Sequence, residues 1–324
     1  MIFKDLTIYK EQDFAAAMEG KILPFLNSIS KDGYFTGTSG RNFYYQAFIN
    51  PKEKASIVIC HGYCEFTTKY YETIYYFYQM GYSVFIMDQR GHGKSDREVS
   101  GYFKVHINHF EDYVTDFNDF IEKEVRAMSP TENLILFAHS MGGAVAALYL
   151  EKYPSVFRSA ILSSPMIELA TGGQNKLVVK LVCLLSYLPF MAKRYMFGHH
   201  DYDHTFKYPR CSAMSKARYS YQYNEREREV QYRTNGCTFG WAREALNVSK
   251  KILKKAKLIK IPVILMQASQ DTLVVNKAQN DFADRVSSCR LLRFEGSKHE
   301  IFNASDDIII DYYEALFSFL EKGL

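Results

Sequence analysis

A chain of 324 residues with 47% hydrophobic content can fill one large α/β domain with an insertion, or two domains, and it excludes a disordered polypeptide. Its 40 Lys and Arg against 36 Asp and Glu leave a formal charge of +4, too small an excess for a dedicated nucleic-acid protein, so no nucleic-acid partner is expected. Six cysteines without a C-x-x-C pair exclude a disulfide scaffold and read as reduced thiols in a cytoplasm.

From the N-terminus onward, Met1 to Phe14 carries Lys4, Asp5, Lys10, Glu11 and Asp13 and no apolar core, so no export signal is visible. The next segment, Gly33 to Ile49, is rich in Tyr, Phe, Thr and Gly and predicts an antiparallel hairpin extending one sheet edge. Short, continuous apolar runs follow at Ile57 to Cys60, Val84 to Met87, Leu134 to Phe137, Ala160 to Leu162, Val263 to Met266 and Leu291 to Phe294. Continuous runs, unlike alternating ones, predict strands covered on both faces. Helical patterns lie between most of them, at Thr68 to Met80, Phe110 to Met128, Gly143 to Tyr153 and Asn276 to Val286, with Asp306 to Leu320 closing the chain. This alternation predicts an α/β fold with a mostly parallel, doubly wound sheet. It breaks once, where some eighty residues of mixed pattern interrupt the series, so a core of 1–165 and 246–324 with an inserted cap at 166–245 is expected.

In such sheets ligands bind beyond the carboxyl ends of the strands, so the residues following each apolar run carry the chemistry. The run ending at Phe137 continues Ala138-His139-Ser140-Met141-Gly142-Gly143 and restarts as a helix. This is the pattern of a nucleophile elbow, G-x-S-x-G with Ala138 for the first glycine, in which a sharp strand-to-helix turn lifts a serine oxygen clear of the backbone. Alone it is weak, because a match arises by chance in roughly one chain in four of this length. The other strand ends carry the case. Asp271 follows one late strand and His299 the last, giving the order Ser140, Asp271, His299 of a hydrolytic triad. The N–H groups of Tyr63, in His61-Gly62-Tyr63-Cys64-Glu65, and of Met141 are expected to form the oxyanion hole. Glu295 is the alternative acid, His92 in the Asp88 to Ser95 loop reads as structural, and Cys60, His61 and Cys64 lack the partner cluster a metal would need.

These residues resemble the α/β-hydrolases of the monoacylglycerol lipase and bacterial lysophospholipase L2 type, traditionally called serine aminopeptidase S33-like. The resemblance rests on His61-Gly62-x-x-Glu65, Asp88-x-Arg90-Gly91-x-Gly93-x-Ser95, Phe110-x-Asp112-Tyr113-Val114-x-Asp116, Ala138 to Gly143 and His299-Glu300-Ile301, and covers nearly the whole chain. Phe239-Gly240-Trp241 and the Ala-His-Ser-Met-Gly-Gly form resemble lysophospholipase L2 more than the glyceride lipases, whereas Tyr63 stands where monoacylglycerol lipases have a small residue. By resemblance, 166–245 matches the family's cap, Ser140, Asp271 and His299 match its triad, and no metal or organic cofactor is implied.

The insertion holds an apolar run, Leu177 to Met191, interrupted by Lys180 and Pro189 and too short to span a bilayer. It predicts either packing onto the core or an acyl-chain tunnel, with Lys193 and Arg194 near head-group phosphates; burying about ten methylenes there would gain about 8 kcal/mol. Between 193 and 233 nine basic residues face five acidic ones, which accounts for the whole net charge. The expectation is therefore a serine esterase of single-chain lipid esters: a lysophospholipase first, a monoacylglycerol lipase or general carboxylesterase second, cytoplasmic and touching the inner face of the membrane through its cap. Two readings of other kinds stay open: a catalytically silent binding protein on the same fold, and a peptidase, which the family's traditional name implies.

Overall fold

The computed structural model describes residues 6–173, 179 and 183–322. The expected hairpin forms β1 (Ser30–Thr36) and β2 (Asn42–Phe48), and each of the six apolar runs forms a strand: β3 (Ala55–Cys60), β4 (Tyr82–Met87), β6 (Leu134–His139), β7 (Ser159–Ser163), β9 (Val263–Ala268) and β10 (Cys289–Phe294). They make one eight-stranded sheet in the order β1-β2-β4-β3-β6-β7-β9-β10, with β5 (Lys104–Val105) and β8 (Gly236–Cys237) paired apart from it. From β4 to β10 neighbouring strands are parallel, and the antiparallel hairpin β1–β2 extends the β4 edge.

The continuous runs are explained by two cores, one on each face. Alternate residues Val58, Cys60, Phe85, Met87, Leu136 and Ala138 face helices Glu111–Phe120, Met141–Lys152 and Phe239–Lys255. Their neighbours Ile57, Ile59, Val84, Ile86, Ile135 and Phe137 face helices Tyr71–Gln79 and Asp306–Lys322. A strand that is apolar on both faces has no polar side to alternate with.

Two features escaped the sequence reading. Residues Glu11 to Ile29 form a helix interrupted by a π-helical turn at Met18–Ile22, and its Phe14, Met18, Ile22 and Leu26 recur every fourth residue along one buried face. The expected cap boundary after residue 245 falls inside the continuous helix Phe239–Lys255, which Thr238 caps by accepting the Trp241 N–H. The chain re-enters the sheet only at β9, after this helix, whose Trp241, Ala242, Ala245, Val248 and Ile252 belong to the core. A side-chain cap and an unbroken hydrogen-bonded helix leave no hinge at 245. Among the described residues no helix is long and apolar enough to cross a membrane.

The strand order reverses at β3, which has β4 on one side and β6 on the other. Crossovers leave in opposite directions there and open a crevice at the carboxyl ends of β3 and β6.

Candidate active site

Ser140 sits at that crevice, between the end of β6 and helix Met141–Lys152, with φ 53° and ψ −121°. Such a conformation is costly for a residue with a Cβ and persists only where its surroundings enforce it. Two glycines show the enforcement: a Cβ on Gly142 would lie 2.0 Å from the Cys60 carbonyl oxygen, and one on Gly143 would lie 2.4 Å from Pro165 Cβ. Strand and helix touch there, so the turn must be tight and the serine is pushed outward.

Asp271 follows β9 and His299 follows β10, and Asp271 reaches Ser140 through His299. Asp271 Oδ2 lies 2.6 Å from His299 Nδ1, and His299 Nε2 lies 2.8 Å from Ser140 Oγ. Because an ionised carboxylate only accepts, Nδ1 carries the proton and Nε2 is left to accept from the serine hydroxyl. Burial opposes charge on Asp271, but the His299 hydrogen bond and the backbone N–H groups of Leu273 and Val274, at 2.9 and 3.1 Å, outweigh it and hold the carboxyl below its ordinary range. The alternative acid, Glu295, is exposed and pairs with Arg293 at 2.7 Å.

The loop after β3 closes over the serine, a Cβ on Gly62 coming within 3.0 Å of Ser140 Cβ. Met141 opens its helix, so its N–H has no intrahelical acceptor. Tyr63 packs its ring on Trp241 with centroids 4.4 Å apart, which turns its bulk into cavity wall. Cys64 has φ 57°, and its carbonyl accepts from Arg226 Nη2 at 2.6 Å. His61 is engaged through both ring nitrogens, with Gly62 O at 2.8 Å and the Gln89 N–H at 2.9 Å. His92 is fully buried against Arg90 O, and burial pushes it down to about 3, so it is neutral.

Sequence reasoning missed an ion network beneath this loop. Lys69 lies 2.6 Å from Glu65 and 2.9 Å from Glu300, all three buried. Glu65 also accepts from the Gly62 N–H and the Tyr70 hydroxyl, and Glu300 from Ser212, Gln222 and Asn303. Burial disfavours the charge on Glu65, yet the Lys69 ammonium beside it prevails and holds the carboxyl down at about 2. The Glu65-to-Lys69 spacing is legible as an i,i+4 pair, but nothing in the sequence joins either to Glu300.

A cavity of about 1200 Å³ opens above Ser140 and His299. Its apolar wall includes Met166, Leu169, Met196, Trp241, Leu246 and Val274, and of the apolar run 177–191 it includes Val179. Residues 174–178 and 180–182 lie outside the described residues, and Leu184, Tyr187 and Phe190 are exposed and off the cavity wall. Lys193 and Arg194, expected near a head group, are likewise exposed and off it. Among the described residues no group of three or more His, Cys, Asp or Glu side chains is placed to hold a metal ion.

The family profile described as "Serine aminopeptidase, S33" matches residues 51–306. The chain belongs to this family. It is 27% identical to lysophospholipase L2 of Escherichia coli K12 over 304 residues, covering 92% of this chain and 89% of that one. With the monoacylglycerol lipase of Mycolicibacterium smegmatis it shares 24% identity over 88% of this chain and 95% of that one. Among solved structures, the monoacylglycerol lipase of Paleococcus ferrophilus superposes with a TM-score of 0.69 at 20% identity, covering 87% of this chain and 99% of that one. That likeness is one of fold: the mostly parallel, doubly wound sheet expected from the strand pattern, in the α/β-hydrolase form that the resemblance implies.

Proposed function

We propose that this S33-family chain is a serine hydrolase cleaving carboxylic esters of single-chain lipids, with lysophospholipids as the leading substrates and monoacylglycerols second. One observation carries the reading: the line of hydrogen bonds from Asp271 through His299 to Ser140 at the base of a large, partly apolar cavity. The names of the relatives favour the same substrates.

Ser140 Oγ attacks the ester carbonyl while His299 Nε2 takes its proton. The oxyanion is held by the N–H groups of Tyr63 and Met141. Collapse expels the alcohol, which receives the proton from His299 and leaves an acyl-serine; water, activated by the same imidazole, then releases the fatty acid. Asp271, held ionised, fixes the tautomer and offsets the imidazolium charge. The reading divides the chain into a core and a cap that begins at 166 and ends at 238 in place of 245.

Leu184, Tyr187 and Phe190 are each about two-thirds exposed, at 66%, 66% and 65%, beside the exposed cations Lys193 and Arg194. Apolar side chains flanked by cations suit the surface of an anionic bilayer. Co-sedimentation with anionic vesicles, weakened by Phe190→Asp, tests that contact.

The decisive assay compares purified protein on lysophospholipid, monoacylglycerol, short-chain p-nitrophenyl ester and a peptide library, alongside fluorophosphonate labelling. Hydrolysis of the lipid esters with labelling lost in Ser140→Ala is expected. Persistent labelling of that variant would reject Ser140 as nucleophile, and inactivity on every acyl ester would favour a silent binding protein.

A further inference from the structure

The charged side chains on the cavity wall are, among the described residues, Glu65, Lys69, Lys207, Arg210, Arg226 and Glu300. Three of them answer one another in the buried network around Lys69. The other three are all cations, and all come from the segment 207–226. Apolar wall comes from the loops after β7 and β9, from helix Phe239–Lys255 and from Met196, Phe197, Phe206 and Pro209, so the cations sit at the edge of apolar surface.

Arg226 is the most constrained of the three. It is half-buried on helix Lys216–Arg228, with its guanidinium 5.8 Å from the Phe66 ring centroid and 6.0 Å from that of Tyr202. Among the described residues no carboxylate lies within ion-pair distance of it. The adjacent acids are taken: Glu225 by Thr68 and Arg228, Glu227 by Tyr202 and His204. One N–H goes to the Cys64 carbonyl, which leaves most of the donor fork available at the cavity. A guanidinium cannot shed its charge, so one that is partly desolvated and unpaired favours an anion, and its planar fork matches two phosphate oxygens. Its anchor matters too. Cys64 follows Tyr63, so Arg226 stands beside the loop assigned to the oxyanion, on the cavity that Ser140 lines.

We infer that Arg226, with Lys207 and Arg210 as outer members, forms a phosphate-recognising subsite, taking the phosphodiester of a lysophospholipid whose ester lies at Ser140 and setting the preference for phosphate-bearing over neutral single-chain esters. This rests on the ester-hydrolase reading above. Arg210, exposed and with no carboxylate in ion-pair range among the described residues, and Lys207, which leans on Asp203 at 3.3 Å, extend the positive field outward.

The test uses a lysophosphatidylcholine and a 1-monoacylglycerol with the same acyl chain, short enough to remain monomeric, on the full chain. Arg226→Gln is expected to lower kcat/KM for the lysophospholipid about 10- to 100-fold, mostly through KM, and to leave the monoacylglycerol within about twofold. Arg226→Lys should retain part of the preference, and Lys207→Ala and Arg210→Ala should each cost less. Glycerophosphocholine should inhibit the wild type competitively and Arg226→Gln much more weakly. Equal losses on both substrates would overturn the inference, since Arg226 would then serve only the Cys64 carbonyl; unchanged rates on both would overturn it as well. So would inhibition by inorganic phosphate without any preference between the lipids. If Arg226→Gln melts early, the Arg226→Lys and Arg210→Ala ratios decide alone. A wild type active on monoacylglycerol and inert to lysophospholipid would remove the subsite and leave the ester-hydrolase reading standing, whereas inactivity on all esters would remove both.

Discussion

Asp271 is held by three donors, and the direction of each sets what a substitution does. Oδ2 takes the His299 proton while Oδ1 takes the Leu273 and Val274 N–H groups. An asparagine must turn its amide nitrogen toward either the imidazole or the two backbone donors. Toward the imidazole it forces the wrong tautomer; toward the backbone it meets two donors with a donor. Asp271→Asn should therefore lose about 1,000- to 10,000-fold in kcat on a p-nitrophenyl ester with little change in fold, and retention of wild-type turnover would return attention to Glu295. Glu151 makes the opposite electrostatic case. It is buried on helix Met141–Lys152 with one carboxyl oxygen unpaired among the described residues, and burial pushes it up to about 8, partly opposed by Lys255. Since its folded pKa exceeds its unfolded one, the folded state holds the proton between roughly pH 4.5 and 8 and loses stability as pH rises through that window. Glu151→Gln should raise the melting temperature by about 2–4 °C at pH 9 and leave it nearly unchanged at pH 4, as differential scanning fluorimetry can read.

The elbow's demands are visible in the contrast between its glycines and another. A methyl at Gly142 would meet backbone oxygen at 2.0 Å, and backbone cannot swing aside as a side chain can. Gly142→Ala should cost at least about 1–3 kcal/mol in urea unfolding and lose most activity with it. Gly20, in the N-terminal π-helical turn, has nothing within 4 Å of its added Cβ, and Gly20→Ala should stabilise by about 0.5–1 kcal/mol. The strands and the placement of Ser140, Asp271 and His299 were legible because they follow local rules: a strand apolar on both faces, then a polar residue at its carboxyl end. The helix Glu11–Ile29 was not, because its large buried side chains fall at a strict four-residue spacing, which a π-helical turn and not the 3.6-residue α-helix keeps on one face. The pairing of Glu300 with Lys69 and that of Arg226 with the Cys64 carbonyl were equally silent, since these partners lie 231 and 162 residues apart and no spacing connects such pairs. The apolar run 177–191 is legible only in part: apolar composition reports a wish to leave water, which Val179 meets on the cavity wall, whereas Leu184, Tyr187 and Phe190 meet it neither in the core nor there.

How firmly the proposed cap is held decides what can move above the cavity. Helix Lys216–Arg228 is tied to the core at several points. Arg218, 1% exposed, makes two hydrogen bonds to Glu72, at 2.8 and 2.7 Å, and a third to the Tyr9 carbonyl at 2.7 Å. Glu11 accepts from Ser215 and from the Ala217 N–H, and Gln222 reaches Glu300. Removing one member of a buried ion pair strands the other charge, so Arg218→Ala should cost about 3–5 kcal/mol, and Glu72→Gln combined with Arg218→Met should restore much of it. Among the described residues the segment 183–192 has no comparable anchorage: several of its apolar side chains are exposed, and Arg243 holds it by donating to the Ser186 carbonyl at 3.3 Å and lying 4.8 Å from the Tyr187 ring centroid. If substrate enters by displacement of part of this cap, the yielding part is this segment, and the helix bearing Arg226 stays fixed over the oxyanion loop. Hydrogen exchange should then find amides of 218–228 protected to within about tenfold of the β6 amides, with 183–192 exchanging far faster. Rapid exchange through both segments would mean that the cap opens as one body and carries Arg226 away from the Cys64 carbonyl whenever the cavity is open.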